Sequence, residues 1–367
     1  MSLYQDVAAR LRDANQPVRI VGGRTKISWG GARDDSLVEI STLELDQIIE
    51  HNEGDLTAVL QAGVPLARAQ EAFASANQML ALDPPDPGGA TIGGVVAAGD
   101  SGPLRHRYGA ARDLVLGVTV ALPDGSVARA GGKVIKNVAG YDLAKLFAGS
   151  FGTLGAIVEV AVRLHPIRPT ASAEGHGDDP AVVAAAARAL AHSQLEAQAL
   201  DIAWRDGRGG VLVRFAGVEA EPQAEAARRA LEEAGLESSV MHDDAGAWEA
   251  QRTAQRGALV VRVSALQTQL GDVLASAERL GGVVVGRAAL GICWISLSPD
   301  GGAEAVRKLR ADLAPAQCVV LDAPAELRAE LDPWGLQGSA GLQLMRSVKQ
   351  RFDPNGVCSP GVYVGGL

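Results

Sequence analysis

The hydrophobic pattern of the first 169 residues alternates between short helical stretches and short strands. Apolar residues with helical spacing predict helices, and continuous or alternating apolar runs predict strands. We expect helices at 3–14, 43–52, 65–78 and 143–155, and strands at 17–23, 36–42, 56–64, 114–132 (a strand pair) and 156–166. In the second of these helices, Leu43, Leu45, Ile48 and Ile49 are expected to face inward.

Residues 170–323 predict one order of elements twice. Each copy reads strand–helix–strand–strand–helix–strand, and a helix around Trp248 separates the two. This order is typical of a ferredoxin-like split βαβ unit, although a coincidental order of elements is the alternative. Residues 324–367 add one helix and an end rich in Gly and Pro. We therefore predict an α+β chain in three parts, 1–169, 170–323 and 324–367.

Length and composition limit the kind of protein. With 367 residues and 47% hydrophobic content, the chain predicts two or three folded domains and not a disordered protein. A net charge of -9 argues against nucleic acid as a main partner. No apolar run is long enough for a transmembrane span, and the charged N-terminus differs from a signal peptide, which predicts a cytoplasmic protein. Cys293, Cys318 and Cys358 are expected to be reduced and buried.

The 44 glycines form clusters that do not match the common nucleotide motifs. A dinucleotide fingerprint needs G-x-G-x-x-G, whereas Gly149–Gly155 reads G-x-x-G-x-x-G. A phosphate-binding P-loop needs Ser or Thr after its Gly-Lys pair, but Val134 follows Gly132-Lys133. Both nucleotide folds are therefore disfavoured.

Two other glycine loops are candidates for a binding site. The first, residues 21–31, follows a predicted strand, and its consecutive N–H groups suit a pyrophosphate; an ordinary strand–turn is the alternative. Arg24 and Lys26 add positive charge, and Trp29 is the one tryptophan placed to contact a ligand. The other four tryptophans are expected in the core or an interface. The second loop, residues 84–103, has almost no bulky side chains and is suited to lie flat against a large planar ligand.

These motifs together carry a resemblance. Residues 91–103, 107–125 and 136–166, with Val21–Lys26 upstream, resemble the FAD-binding domain of the vanillyl-alcohol oxidase / p-cresol methylhydroxylase (PCMH-type) superfamily. Residues 136–155 are most similar to glycolate oxidases (glycolate dehydrogenases), and the length and the tail at 352–361 resemble their GlcE-like subunits. The resemblance implies a two-lobed PCMH-type FAD-binding domain at 1–169, an α+β cap with two ferredoxin-like βαββαβ units at 170–323, and a segment at 324–367 that returns to the FAD domain.

The resemblance also implies which residues bind the cofactor. The first loop would hold the pyrophosphate, the second would lie along the pyrophosphate and the isoalloxazine, and the strand after Gly155 would contact the flavin or adenine end through its backbone. The expected cofactor-binding residues are Val21, Gly22, Gly23, Arg24, Thr25, Lys26, Gly89, Thr91, Gly93, Gly94, Gly99, Ser101, Gly102, Gly155, Ile157 and Val158. Neither loop contains Cys or His, and Arg24 stands where His is common in members with attached flavin. We therefore expect non-covalent FAD.

The catalytic residues are not evident from the sequence. Related D-2-hydroxyacid dehydrogenases carry clustered His and acidic residues that bind a metal, whereas the six histidines here are widely spaced, so no metal site is expected. Arg107, Tyr108 and Tyr141 are candidates because they flank the flavin motifs. The run Arg105–Arg107 would bind a substrate carboxylate or a flavin phosphate, or else form a solvated basic turn.

The resemblance implies a function in a complex. The chain would be the FAD-binding subunit of a glycolate oxidase, contributing to the oxidation of glycolate, a small 2-hydroxy acid, to glyoxylate. Electrons would pass to a larger FAD-binding subunit and an iron–sulfur subunit, and the complex would be cytoplasmic or peripheral at the inner membrane through those partners. The alternatives are a non-catalytic scaffold of the same complex and an independent FAD-dependent oxidoreductase acting on another alcohol, amine or hydroxyacid.

Overall fold

A computed structural model describes residues 2–31, 36–133, 142–336 and 340–367. The chain forms two units. The first unit comprises Met1–Ser101, Tyr108–Ile167 and Leu336–Leu367, and the second comprises Gly102–Arg107 and Arg168–Gly335. No helix in the described ranges is both long enough and apolar enough to cross a membrane.

The first half of the chain contains short helices and two main sheets. In chain order its elements are α1 (Leu3–Arg12), β1 (Val18–Val21), β2 (Val38–Ser41), β3 (Ile48–Asn52), β4 (Thr57–Gln61), α2 (Leu66–Ala74), β5 (Gln78–Met79), α3 (Ile92–Ala98), α4 (Arg105–Tyr108), α5 (Ala111–Leu114), β6 (Val115–Ala121), β7 (Val127–Gly131), α6 (Ala144–Phe147), β8 (Ala156–Arg163) and β9 (His165–Pro166). β1 and β2 are parallel, and a five-stranded sheet has the order β3-β4-β8-β6-β7. The two sheets give the two lobes that the resemblance implies.

One core cluster of the first unit joins distant parts of the sequence. The amphipathic helix α1 buries Val7, Ala8 and Leu11 against Val18 and Ile40 of the parallel strand pair and several other residues. Val158 and Cys358 belong to the same cluster, and both are fully buried. The C-terminal residues therefore pack in the same core as the N-terminal helix.

The helix predicted at 43–52 is wrong. Residues Ile48–Asn52 form β3, which pairs with β4, and Asn52 Oδ1 accepts the Asp55 N–H at 3.1 Å in the connecting turn. Leu45 is buried as expected, but Leu43 and Ile49 are about half exposed, at 49% and 48%. Cross-strand hydrogen bonds made possible by this turn outweigh a marginal helix of ten residues.

Two glycine-rich segments, the second loop and residues 143–155, also differ from the predicted secondary structure. The second loop contains a helix, α3, which Thr91 caps at its N-terminus and Gly99 ends in the left-handed conformation at φ 65°. The helix predicted at 143–155 is only the single turn α6. Gly149, Phe151 and Gly152 adopt φ values of 81°, 55° and 73°, so the helix cannot continue.

The second half of the chain confirms the predicted double unit. Its elements are β10 (Thr170–Gly177), α7 (Pro180–Ala191), β11 (Ala199–Arg205), β12 (Arg208–Ala216), α8 (Ala220–Glu233), β13 (Glu237–Met241), α9 (Ala245–Thr253), β14 (Val260–Ser264), α10 (Leu270–Arg279), β15 (Val283–Arg287), β16 (Ile292–Ser296), α11 (Gly302–Asp312), β17 (Gln317–Asp322) and α12 (Ala325–Glu330), and α13 (Ala340–Phe352) follows in the first unit. Each set of four strands has the ferredoxin-like order, β13-β10-β12-β11 and β15-β16-β14-β17. Antiparallel pairing of β11 with β15 joins them into one eight-stranded sheet.

The expected positions of the cysteines and of most tryptophans are confirmed. All three thiols are free and buried, and burial raises the pKa of Cys293 to about 12 and that of Cys318 to about 11. Trp204 and Trp248 are among the largest fully buried side chains. Trp248 places helix α9 against Ala199 and Leu212 of the sheet.

Candidate functional site

The first unit contains a cavity of about 120 Å³ that both glycine loops line. Its walls come from β1 and the following loop, from α3, from the segment before and at the start of β8, and from the C-terminal residues. The lining residues are Arg19, Ile20, Val21, Gly22, Gly23, Arg24, Thr25, Lys26, Ile27, Trp29, Thr42, Thr91, Gly93, Gly94, Ala97, Ala98, Phe151, Gly152, Gly155, Ile157, Ser359 and Val362.

The first loop makes a tight reversal after β1. Arg24 adopts the left-handed conformation at φ 61°, which is uncommon for a residue with a side chain. The Ile27 N–H donates to Arg24 O at 3.2 Å, and the Trp29 N–H donates to Lys26 O at 3.0 Å. A left-handed residue in such a turn is typical of the concave backbone arrangements that bind anions.

Thr91 connects the two glycine loops. Its Oγ1 accepts the Gly94 N–H at 3.3 Å, which caps α3, and the Gly23 N–H at 3.4 Å. A Cβ on Gly22 would lie 2.4 Å from Thr91 Oγ1, and one on Gly23 would lie 1.7 Å from Gly89 O. Positions 22 and 23 therefore require glycine because the two loops contact each other there, whether or not a ligand is bound.

The charges of the first loop have partners inside the unit. Lys26 Nζ lies 3.2 Å from Asp100 Oδ2, and both side chains are almost fully buried. The Lys26 ammonium also lies 5.8 Å from the ring centroid of Trp29, which itself is only 4% exposed. Arg24, in contrast, is half exposed and pairs with Glu39 on β2. The buried Lys26 ammonium is thus paired with Asp100, which offsets the cost of its desolvation.

The C-terminal residues form one wall of the cavity; the resemblance implied that this segment returns to the FAD domain, but no residue of it was expected to line the site. The Val18 N–H donates to Val357 O, and the Ser359 N–H donates to Val18 O, both at 2.8 Å. Further along, the Gly31 N–H donates to Val362 O at 2.9 Å. These bonds place Ser359 and Val362 beside the first loop.

Most of the predicted cofactor-binding residues come together in this cavity. Those that line it are Val21, Gly22, Gly23, Arg24, Thr25, Lys26, Thr91, Gly93, Gly94, Gly155 and Ile157. Gly89, Gly99, Ser101, Gly102 and Val158 do not line it. Gly89 contacts Gly23, Gly99 ends α3, and the Val158 side chain belongs to the core. Ser101 is buried, and Gly102 belongs to the second unit.

The catalytic candidates lie elsewhere or outside the described residues. Arg107 is exposed and pairs with Glu196 at 3.5 Å. The Tyr108 ring packs on the His165 ring, with centroids 4.4 Å apart. Neither residue lines the cavity, and Tyr141 falls outside the described ranges. The catalytic roles of Arg107, Tyr108 and Tyr141 therefore stay predictions.

Several residues that line the cavity were not predicted from the sequence. Arg19 and Ile20 precede the first loop on β1, so their place on the strand was a usable signal. Thr42 follows the parallel strand β2 and donates its hydroxyl to Val21 O at 3.3 Å. Ala97, Ala98 and Phe151 carried no signal, because their place depends on α3 and on the turn at 149–152.

The fold and the glycine-lined cavity together define a class of protein. A parallel strand pair with a glycine turn, a second lobe with an antiparallel sheet, and a double ferredoxin-like unit match the two-lobed PCMH-type FAD-binding fold with its cap. The comparisons with known proteins agree. Residues 4–131 match the FAD binding domain family, and residues 335–363 match the C-terminal domain of FAD linked oxidases. These two segments of the chain are therefore similar to two families of FAD-binding proteins.

The curated relatives are named for 2-hydroxy acids. The chain is 44% identical to the glycolate oxidase subunit GlcE of Escherichia coli over 34% of its length and 36% of that protein. It is 37% identical to the glycolate oxidase subunit GlcD of Bacillus subtilis over 41% of its length and 32% of that protein. It is 35% identical to the D-lactate dehydrogenase of Archaeoglobus fulgidus over 44% of its length and 37% of that protein. The aligned part spans about a third of each relative.

A solved structure confirms the fold over nearly the whole chain. An alkyldihydroxyacetonephosphate synthase superimposes with a TM-score of 0.67 over 97% of this chain and 74% of its own, at 15% identity. That likeness extends beyond the N-terminal family match and includes the second unit. The predicted fold class is therefore confirmed.

The cofactor that the comparisons support is FAD, and two features of the cavity's lining fit parts of it. Gly94 lines the cavity, and a Cβ there would meet only Thr91 Oγ1, at 3.0 Å, so the glycine leaves the wall flat. The loop at Arg24 places backbone N–H groups in the wall, an arrangement that suits a diphosphate, and the Lys26 ammonium, paired with Asp100, belongs to the same loop. Among the described residues, no His or Cys lines the cavity.

Proposed function

We propose that this chain is the FAD-binding subunit of a glycolate oxidase (glycolate dehydrogenase) complex. The observation that carries the proposal is the cavity between the two glycine loops, found in a chain 44% identical over a third of its length to a protein named glycolate oxidase subunit GlcE. All three relatives compared are named for glycolate or D-lactate. The substrate class that this supports is a small 2-hydroxy acid.

In this proposal the two glycine loops hold the cofactor. Residues 1–169 and the segment 324–367 would form the FAD-binding part and residues 170–323 the cap, although residues 102–107 and 324–335 fold with the second unit. Bound FAD would supply the redox chemistry, accepting the electrons that leave the carbon–hydrogen bond of the hydroxyacid. The chain's residues would bind the diphosphate through backbone N–H groups of the first loop, with the Lys26–Asp100 pair in the same loop region, and would exclude water with Trp29 and the C-terminal wall.

Partner subunits would carry the electrons onward. An iron–sulfur cluster usually needs four cysteine ligands, whereas this chain has three cysteines, far apart in the sequence. Within the described residues, no group of three His, Cys, Asp or Glu side chains is placed to hold a metal ion. We therefore propose that a larger FAD-binding subunit and an iron–sulfur subunit complete the enzyme.

The visible spectrum of the purified chain tests the proposal first. The chain is purified alone and after incubation with excess FAD followed by gel filtration, and flavin is measured by absorbance near 450 nm. Flavin approaching one equivalent per chain supports the cofactor-binding subunit. A chain that stays colourless, while the complex with its partners is active, would instead support the non-catalytic scaffold.

A further inference from the structure

We propose that the buried ion pair of Lys349 and Asp353 positions the C-terminal tail, residues 353–367, as one wall of the FAD cavity. Neither side chain lines the cavity, so both would be positioning residues and not cofactor contacts. The inference rests on the proposed function of the cavity as the FAD site. It adds residues that no motif of the two glycine loops indicates.

Lys349 joins three segments of the first unit at a single ammonium group. Its Nζ donates to Thr153 O at 2.7 Å, to Cys358 O at 2.8 Å and to Asp353 Oδ2 at 2.6 Å. An ammonium group has three protons, so these three acceptors use its full capacity. The side chain is 12% exposed, which means that few water molecules can replace a lost partner.

Asp353 turns the chain back after helix α13. Its side chain is fully buried, and its two oxygens accept the N–H groups of Val357 at 2.9 Å and Cys358 at 2.7 Å. The Asp353 N–H itself donates to Lys349 O at 2.7 Å. The carboxylate therefore holds the first part of the tail against the end of the helix.

The segments held by this pair are walls of the cavity. Thr153 belongs to the turn that places Phe151, Gly152 and Gly155 on one wall. Cys358 precedes Ser359, which forms another wall and bonds back to β1. Without the ammonium group, the carbonyls of Thr153 and Cys358 would lose their shared donor, and the two walls would no longer be tied together.

Cys358 provides a native reporter of the tail. The residue is fully buried, and burial, with a smaller contribution from Asp353, raises the pKa of its thiol to about 12. Since the thiolate is the reactive form, iodoacetamide should modify Cys358 very slowly while the tail is in place. Cys293 and Cys318, buried in the second unit, report separately on unfolding of that unit.

The test combines FAD affinity with the modification of individual cysteines. FAD dissociation constants are measured by flavin fluorescence, and the labelling of each cysteine by iodoacetamide at pH 8 is followed by peptide mass spectrometry, with and without saturating FAD. We expect Lys349→Met to raise the Kd for FAD at least tenfold and to speed labelling of Cys358 at least tenfold. Saturating FAD should slow this labelling again, because the cofactor and the tail share a wall.

Three further variants separate positioning from general stability. Lys349→Met/Asp353→Asn removes both charges, leaves no buried carboxylate without its cation, and should weaken FAD similarly. Lys349→Arg should restore part of the affinity, whereas Arg346→Met, an exposed position on the same helix, should leave Kd and labelling unchanged.

Two results would overturn the inference while the wild-type chain binds FAD. One is wild-type affinity and a protected Cys358 in the double variant. The other is equal acceleration of labelling at Cys293, Cys318 and Cys358, which indicates global unfolding. If the wild-type chain binds no FAD, the proposed function fails, and this inference fails with it.

Discussion

At the scale of single residues, two neighbouring glycines in α3 have different roles: Gly93 packs against the protein, and Gly94 faces the cavity. A Cβ on Gly93 would lie 2.6 Å from Ala62 Cβ and 2.9 Å from Ala62 O, so this glycine is required by contact with the chain beside it. A Cβ on Gly94 would meet only Thr91 Oγ1, at 3.0 Å. From the sequence both glycines appear equivalent, and only the packing of α3 on the segment after β4 distinguishes them.

We predict that Gly94→Val prevents FAD binding and leaves the fold largely intact. The added side chain would occupy cavity space, and a Kd raised at least 100-fold corresponds to about 2.7 kcal/mol. Gly93→Val should in addition lower the free energy of unfolding by about 1–3 kcal/mol through overpacking. FAD titration and urea unfolding of both variants check this. Tight FAD binding by a folded Gly94→Val chain would show that α3 does not face the cofactor.

His165 gives a pH dependence that can be checked. Burial, with a smaller contribution from Arg163, lowers its pKa to about 4, whereas the unfolded chain would titrate near 6.5. The unfolded state therefore binds more protons between these values, and stability should fall as pH decreases from about 6.5 towards 4. Because His165 is half-buried, we expect an effect of about 1 kcal/mol between pH 7 and pH 4.5.

Urea unfolding of the chain at pH 7 and pH 4.5 measures this effect. His165→Gln should reduce the difference between the two pH values, whereas the same change at His242, whose side chain is 74% exposed, should not. An unchanged pH dependence in His165→Gln would contradict the assignment. Burial also lowers the pKa of His106. This residue is expected to account for part of the pH dependence that remains in His165→Gln.

At the scale of elements, the cap of α3 links helix stability to the cofactor site. Thr91 is buried and accepts hydrogen bonds from Gly94 in its own helix and from Gly23 in the other loop. Thr91→Val keeps the shape but removes both acceptors, so we predict a loss of about 1 kcal/mol in unfolding free energy and weaker FAD binding. Urea unfolding and FAD titration measure both. Thr91→Ser retains the hydroxyl and should stay near wild type; equal losses in the two variants would contradict the role of the hydroxyl.

The elements also show how far sequence reasoning reaches. The strands and helices of residues 170–323 have strong periodicity, and their order, and even the double ferredoxin-like architecture, followed from it. The segment at 43–52 failed because its apolar spacing fits a helix, while pairing with β4 decides the structure. Helix α3 was missed because Gly-Gly and Ala-Ala carry little periodic signal, although Thr91 and Gly99 were usable cap signals.

Contacts between distant segments were the least predictable part of the site. The motifs placed eleven of the residues that line the cavity, because consecutive residues of a loop stay together wherever the loop goes. Ser359 and Val362 are more than 300 residues from Val18 and Gly31, and nothing local to either segment indicates the pairing. For the same reason, the contact of Lys349 with Thr153 emerges only from the folded chain.

At the scale of the whole molecule, we predict that FAD is bound without a covalent bond. In the part of the chain that the structure describes, no His or Cys lines the cavity, and the nearby Cys358 is fully buried with its thiol pKa raised. Acid precipitation of the FAD-loaded chain should release all the flavin into the supernatant. Flavin absorbance that remains in the washed, redissolved pellet would show a covalent attachment.

If the chain acts in a complex, the chain alone should show little activity. Oxidation of a hydroxyacid needs a group that accepts the hydroxyl proton, placed within hydrogen-bond reach of the substrate. Among the residues that the structure describes, the charged side chains that line the cavity are Arg19, Arg24 and Lys26, and no carboxylate or imidazole lines it. The FAD-loaded chain alone is therefore expected to oxidise glycolate very slowly.

Steady-state reduction of a dye by glycolate tests the central claim most directly. The rate is measured for the FAD-loaded chain alone and again after addition of the larger FAD-binding subunit and the iron–sulfur subunit, with D-lactate as the comparison substrate. We predict negligible turnover by the chain alone and turnover that appears with the partners and is lost when Gly94→Val replaces the wild-type chain. Rapid turnover by the chain alone, or full activity of the complex with the Gly94→Val chain, would contradict the account.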